Sequence, residues 1–183
     1  MDEYLETIKA LNGELYHLKY HEKRSEIENI ESYLNPPKDG LYRCRLVYSD
    51  DKIDVTYHRY KKREINSLKL IYDDNISYSK KSTDRAELNN LFIQKDDCDD
   101  VLIVKNGLIT DTSIANIALY KNGIWFTPKT PLLKGTTRAR LLEESFLFEI
   151  DIKVENIKEY TKIALLNAMI DFDIIPTLKI KGI

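Results

Sequence analysis

Gly135-Thr136-Thr137-Arg138 places a glycine and two hydroxyl side chains where a helix is expected to open. The free N–H groups and positive dipole end of such a turn favour a phosphate, although the same residues also make an ordinary helix N-cap. Lys81, in Lys81-Ser82-Thr83-Asp84-Arg85, is expected to follow a strand and precede a short helix, so that its amine projects from a rigid element. A lysine whose surroundings lower its pKa becomes a Schiff-base nucleophile. Lys80 is a second candidate, and local chemistry does not separate the two. Asp111 lies just past another expected strand, where its carboxylate can keep a pyridine nitrogen protonated, and Asn116 can bond a phosphate or a ring. Asp and Asn are also common turn residues, because they bond their own backbone. Together these residues offer the lysine, carboxylate, phosphate donors and polar holder that a pyridoxal 5′-phosphate (PLP) site requires.

The elements that must carry these groups are legible in the spacing. Tyr4 to Leu11 and Glu14 to Leu18 flank Asn12-Gly13, a pair suited to a type I′ hairpin turn. Ile27, Ile30, Tyr33 and Leu34 recur at helical spacing, which predicts one amphipathic helix from Tyr20 to Leu34, stopped by Asn35-Pro36-Pro37. A second hairpin is expected from Leu41 to Tyr48 and Lys52 to Tyr60 around Ser49-Asp50-Asp51. Beyond it come a helix from Arg85 to Phe92, strands around Asn106-Gly107 and Asn122-Gly123, and a helix from about Arg138 to Glu144. Further strands are expected at Ile150 to Val154, Ile163 to Leu166 and Ile174 to Ile180. The whole predicts an α+β chain of two lobes, residues 1–76 and residues 77–183.

At 183 residues the chain is long enough to bury a sizeable core without a disulfide or metal staple. Its two cysteines, Cys44 and Cys98, form no Cys-x-x-Cys pattern, which fits a reducing compartment. The acidic opening segment has no apolar run resembling a signal peptide, and no stretch is long and apolar enough to span a bilayer. A cytoplasmic protein without membrane partners is expected. The formal charge of −2 provides no field for nucleic acid, and the cluster His58 to Arg63 reads as a solvated strand end. His17 and His21 lack a third ligand, so no metal site is expected.

In chain order these segments resemble the signature of the fold-type IV PLP enzymes, the class IV aminotransferases and aminodeoxychorismate lyases. Leu5-Glu6-Thr7-Ile8, Asn12-Gly13 and His21-Glu22-Lys23-Arg24 are similar to the opening strand, turn and H-x-x-R helix of that family. Lys81 to Arg85 resembles the cofactor-lysine segment, a register that selects Lys81 over Lys80. Thr110-Asp111 through Asn116 resembles the T-E-x-x-x-x-N element, and Phe126-Thr127-Pro128 with Leu133 to Arg138 resembles the phosphate loop. The resemblance implies a two-lobed D-amino acid aminotransferase-like fold with an abbreviated first lobe, the cofactor between the lobes, and a homodimer. It makes Lys81 the Schiff-base lysine and proton carrier, Asp111 the partner of the pyridine nitrogen, and Arg24, Gly135, Thr136 and Thr137 the phosphate site, with Asn116 in support. Asn167 and Ala168 fall where the family lines the substrate pocket, and Thr7 is a further candidate for proton transfer.

Two departures stand out: aspartate at 111 where the family carries glutamate, and the absence of the leading strands of longer relatives. Leu166-Asn167-Ala168-Met169-Ile170 resembles the lyase form of its segment more than the glycine-threonine-rich turn of branched-chain aminotransferases. The implied reaction is therefore β-elimination of pyruvate from 4-amino-4-deoxychorismate to give 4-aminobenzoate, a step of folate biosynthesis. An amino acid aminotransferase and a non-catalytic PLP-binding homologue are the competing readings.

Overall fold

In the computed structural model, which describes residues 2–176 and 179–182, the chain forms two compact units. The first is Met1–Lys62 with Lys80–Asp84, and the second is Arg63–Ser79 with Arg85–Ile183. The expected boundary at 76/77 falls inside a segment that packs with the second unit. The chain then returns to the first for five residues, the ones that carry Lys81.

In the first unit, β1 (Tyr4–Leu11) and β2 (Glu14–Leu15) form the expected hairpin, with Asn12 and Gly13 at φ 51° and 87°. Both central residues thus adopt the positive φ that a type I′ turn requires. Helix α1 (Leu18–Ser25) follows, then β3 (Leu41–Tyr48) and β4 (Ile53–Arg59), giving an antiparallel sheet in the order β2-β1-β3-β4. The single helix expected from Tyr20 to Leu34 is broken. α1 ends at Glu26, which turns left-handed and donates its N–H to the Glu22 carbonyl, and a separate 3₁₀ turn spans Ile30–Tyr33. The Ser25 hydroxyl donates to the His21 carbonyl and accepts from Ile27 N–H, while a Glu22 carboxylate oxygen accepts from Ile30 N–H. Two short pieces therefore serve the apolar spacing of one helix, with Ile30 fully buried against Ile8, Cys44 and Leu46, and Ile27 and Leu34 beside them.

The Lys81 segment is not the end of a strand, contrary to expectation. Its backbone is tied along β1 instead: Leu5 N–H donates to the Lys81 carbonyl and Thr83 N–H to the Glu3 carbonyl. Tyr4 and Ser82 form an isolated bridge between these two bonds.

The second unit contains β5 (Ser67–Tyr72), α2 (Ala86–Phe92), β6 (Asp100–Lys105), β7 (Leu108–Thr112), β8 (Asn116–Lys121) and β9 (Ile124–Pro128). Then follow α3 (Thr136–Glu143), β10 (Leu147–Ile150), β11 (Lys162–Asn167), β12 (Asp171–Ile175) and β13 (Lys179–Lys181). The sheet runs β10-β9-β8-β7-β6-β5-β13, with β11 joined to β8 and β12 to β11. Strands β5, β6 and β13 pair in parallel, as do β9 and β10. β6 is buried from Asp100 to Val104, which explains its continuous apolar run in place of alternation. The expected strand from Ile150 to Val154 is instead the end of β10 and the start of a 3₁₀ turn at Val154–Glu159. The expected strand from Ile174 to Ile180 divides between β12 and β13, and residues 177 and 178 lie outside the described residues. Among the described residues no helix is long and apolar enough to cross a membrane.

Candidate active site

In the second unit the strands β7 and β8 pair at a single position, Asp111 opposite Asn116. The turn between them is held by Thr112, whose N–H donates to the Ala115 carbonyl and whose hydroxyl accepts from Ala115 N–H at 3.0 Å. This local closure sets the two side chains side by side, both buried. One Asp111 oxygen accepts from Asn116 Nδ2 at 2.8 Å, and the other accepts the main-chain N–H of Leu133 at 2.9 Å. Asn116 Nδ2 also donates to the Leu133 carbonyl at 2.7 Å. Burial raises the Asp111 pKa to about 6, against the opposing pull of the bonds from Asn116 and Leu133 and the charge of Arg138.

The loop anchored at Leu133 leads to Gly135, the N-cap of α3. A Cβ there would lie 2.0 Å from Asn116 Oδ1, so only glycine admits this approach of backbone to side chain. Gly135 provides no side-chain cap, and Thr136 and Thr137 occupy the first helical positions with both side chains buried. Among the described residues neither threonine hydroxyl takes a hydrogen-bond partner, so neither acts as the N-cap. The first-turn N–H groups and two uncommitted hydroxyls thus belong to the first turn of one helix. Arg138 is directed away from this end: its Nη2 donates to the Pro128 carbonyl and pairs with Glu149.

A second buried carboxylate lies in the first unit. Glu6 sits on β1 with the same strand parity as Ile8 and Ala10, and all three face the core. His21 Nδ1 lies 2.5 Å from one Glu6 oxygen, and Arg24 donates through Nε at 2.8 Å and Nη2 at 2.5 Å. This bidentate grip leaves Arg24 Nη1 for another acceptor. Burial pushes Glu6 upward, but the bonds from His21 and Arg24 and the charges of both outweigh it and hold Glu6 below the usual carboxylate range. Burial lowers the His21 pKa; the bond to Glu6 only partly offsets this, and the charges of Arg24 and Lys81 add to the lowering.

The structure thus gathers Asp111, Asn116, Gly135, Thr136 and Thr137 in one unit, and joins Arg24 to His21 in the other. Thr7 points to the opposite face of β1 from Glu6, opposite Arg45 in register, and is no part of that cluster. Asn167 Oδ1 accepts from Met169 and Ile170 N–H, stabilising the turn that contains Ala168, and its Nδ2 reaches the Ile114 carbonyl at 3.4 Å. Sequence reasoning missed two participants. Glu6 carried a signal, an acidic residue at the core-facing parity of a strand. The Leu133 backbone carried none, because every non-proline residue has the same N–H and C=O.

The sequence matches the family described as amino-transferase class IV over residues 47–176. It is 34% identical over 180 residues to an uncharacterized protein of Haemophilus influenzae, covering 90% of this chain and 96% of that one. It is also 34% identical over 106 residues to a candidate aminodeoxychorismate lyase of Schizosaccharomyces pombe, covering 52% of this chain and 46% of that protein. Among solved structures, a candidate 4-amino-4-deoxychorismate lyase from Haemophilus somnus superposes with a TM-score of 0.82 at 34% identity, covering 92% of this chain and 97% of that one. The branched-chain amino acid aminotransferase of Escherichia coli shares the fold at 12% identity, with a TM-score of 0.73 over all of this chain and 77% of its own. With its buried Asp111, glycine-capped helix and H-x-x-R segment in the family's order, the chain belongs to the class IV aminotransferase family of fold-type IV PLP-dependent enzymes.

Proposed function

We propose that this chain binds PLP through Lys81 and acts as a 4-amino-4-deoxychorismate lyase. The observation that carries the cofactor assignment is the glycine-capped start of α3, which lies against Asn116 of the Asp111–Asn116 pair and carries two threonines whose hydroxyls take no partner among the described residues. A phosphate fits such a helix end, and the nearby carboxylate fits a protonated pyridine nitrogen. When bound, PLP withdraws electrons from the carbon that bears the substrate amine and so acidifies its proton. Lys81 would hold the cofactor until the substrate amine displaces it, and its freed amine would then take that proton and return it as pyruvate leaves and the ring becomes aromatic. Thr136, Thr137 and Arg24 hold the phosphate, Arg24 through the Nη1 that Glu6 leaves unused. Asn167 and Ala168 border the substrate. The lyase reading is supported by the segment Leu166 to Ile170 and by the two candidate lyases at 34% identity. A homodimer is the proposed active form.

The test is a visible spectrum of PLP-loaded protein, then borohydride reduction and peptide mapping, and then 4-amino-4-deoxychorismate with detection of 4-aminobenzoate. Label on Lys81, product formation, and a loss of roughly 10³-fold in Lys81→Ala are expected. Conversion of the cofactor to its amine form by an amino acid would identify an aminotransferase instead. A spectrum that no substrate changes would identify a non-catalytic homologue, and absence of label on Lys81 would remove the cofactor assignment itself.

A further inference from the structure

We propose that Asp111, together with Asn116, is the positioning residue of the phosphate loop: the pair ties residues 133–135 to the β7–β8 strands and so presents the first turn of α3 to a phosphate. The proposal deepens the PLP reading and rests on it for the identity of the ligand.

Leu133 anchors the loop to the two strands. Its N–H and its carbonyl are both satisfied by side chains, Asp111 and Asn116, and not by a strand or helix ladder. Main-chain groups at a part-buried position need partners, so the pair bears the cost of ordering this stretch. Asn116 then does a second job. Its Oδ1 occupies the space a side chain at Gly135 would need, which keeps the N-cap of α3 pressed against the same pair. The next two residues, Thr136 and Thr137, hold hydroxyls that take no partner among the described residues. The chain of contacts from Asp111 to the threonines is thus short, and it runs through hydrogen bonds of 2.7 to 2.9 Å.

This accounts for aspartate in place of the family's glutamate. The Asp111 carboxylate reaches Leu133 N–H and Asn116 Nδ2 at once from a buried backbone. One more methylene would carry the carboxylate about 1.5 Å further, past both donors. The shorter side chain suits the loop, while its charge remains available to a ring nitrogen.

The experiment compares affinity for PLP and for pyridoxal, the same aldehyde without the phosphate, in the wild type, Asp111→Asn, Asp111→Glu and Asn116→Ala. If the pair positions the loop, each variant loses at least tenfold of the preference for PLP over pyridoxal, a ratio in which any loss at the ring nitrogen shared by both aldehydes cancels. Equal weakening of both aldehydes, or an improvement in Asp111→Glu, would place Asp111 at the ring alone and overturn the proposal. Amide hydrogen exchange on the cofactor-free variants gives a second readout. The amides of Leu133 and Thr136 to Arg138 should exchange at least tenfold faster while the rest of the chain keeps its protection. Unchanged exchange there, or a rise throughout the chain, overturns the proposal. If the wild type binds neither aldehyde, the PLP reading fails and the exchange measurement still decides the role of the pair. Asn116→Ala serves where an Asp111 variant fails to fold.

Discussion

Glu6 and Asp111 are both carboxylates buried within sheets, one in each unit, and each has its two oxygens engaged by hydrogen bonds. Their proton affinities nevertheless move in opposite directions. Glu6 is gripped by the Arg24 guanidinium and an imidazole, and it stays ionised below the usual range. Asp111 receives N–H groups from a neutral side-chain amide and a peptide, with Arg138 contributing only through its charge, and it rises to about 6. Burial penalises both charges alike, so the sign of the outcome follows from whether the donors are themselves charged. The Glu6 cluster is a completed ion pair. Asp111 is an incomplete one, and a cation brought beside it would complete it.

The largest effect that could break this comparison is expected from Glu6→Ala, which strands Arg24 in a mostly buried position. A loss of about 3 to 5 kcal/mol is expected in denaturant unfolding, and a loss below about 1 kcal/mol would mean that the cluster is not a stabilising pair.

The pH dependence should separate the two carboxylates by sign. For Asp111 the folded pKa lies above its ordinary value of 3.8, so its contribution is full below 3.8 and is lost as pH rises through about 6. Asp111→Asn should therefore gain on the wild type by about 3 kcal/mol between pH 4 and pH 7. Glu6 has a lowered pKa, so its contribution is present above 4.5 and is lost as pH falls through the folded value. Glu6→Gln should accordingly approach the wild type on acidification below pH 4.5, in urea midpoints extended to pH values under the Asp111 range. Parallel pH profiles for the two variants would contradict the contrast.

Gly135→Ala sharpens the Asp111 side of the comparison. Its Cβ meets Asn116 Oδ1, and overpacking of this kind costs about 1 to 3 kcal/mol. Calorimetry on the cofactor-free protein measures it, and a neutral result would show that Asn116 moves aside freely. The smallest stability change is expected for Thr136→Ala and Thr137→Ala, a loss of about 1 kcal/mol each, from the buried methyl group removed and not from a hydrogen bond. Both should still weaken PLP binding in a spectroscopic titration, and a variant that keeps full affinity would remove that threonine from the phosphate site.

Much of the frame was readable from local chemistry. Asn12-Gly13, Asn106-Gly107 and Asn122-Gly123 each mark a hairpin whose positive φ angles are a backbone requirement of those residues alone. Gly135-Thr136-Thr137 also marks the start of α3, but there the glycine is extended (φ −69°) and is required by the approach of Asn116, a tertiary contact. Periodicity misled where distant contacts decided the outcome: Ile27, Ile30 and Leu34 reach one core from two pieces of chain, since only the core position of each side chain was specified by the spacing. The segment carrying Lys81 was expected as a strand end, yet its order comes from bonds to β1, some 75 residues earlier in the chain.

The sequence by itself determined the family, the turn positions and the residue types available for a phosphate, an amine and a buried charge, because these depend on local backbone preference and side-chain chemistry. Only the tertiary structure decided which donors each buried carboxylate meets. That choice held Glu6 below the usual carboxylate range and left Asp111 poised near pH 6, since the energy of a buried charge depends on the groups that surround it in space.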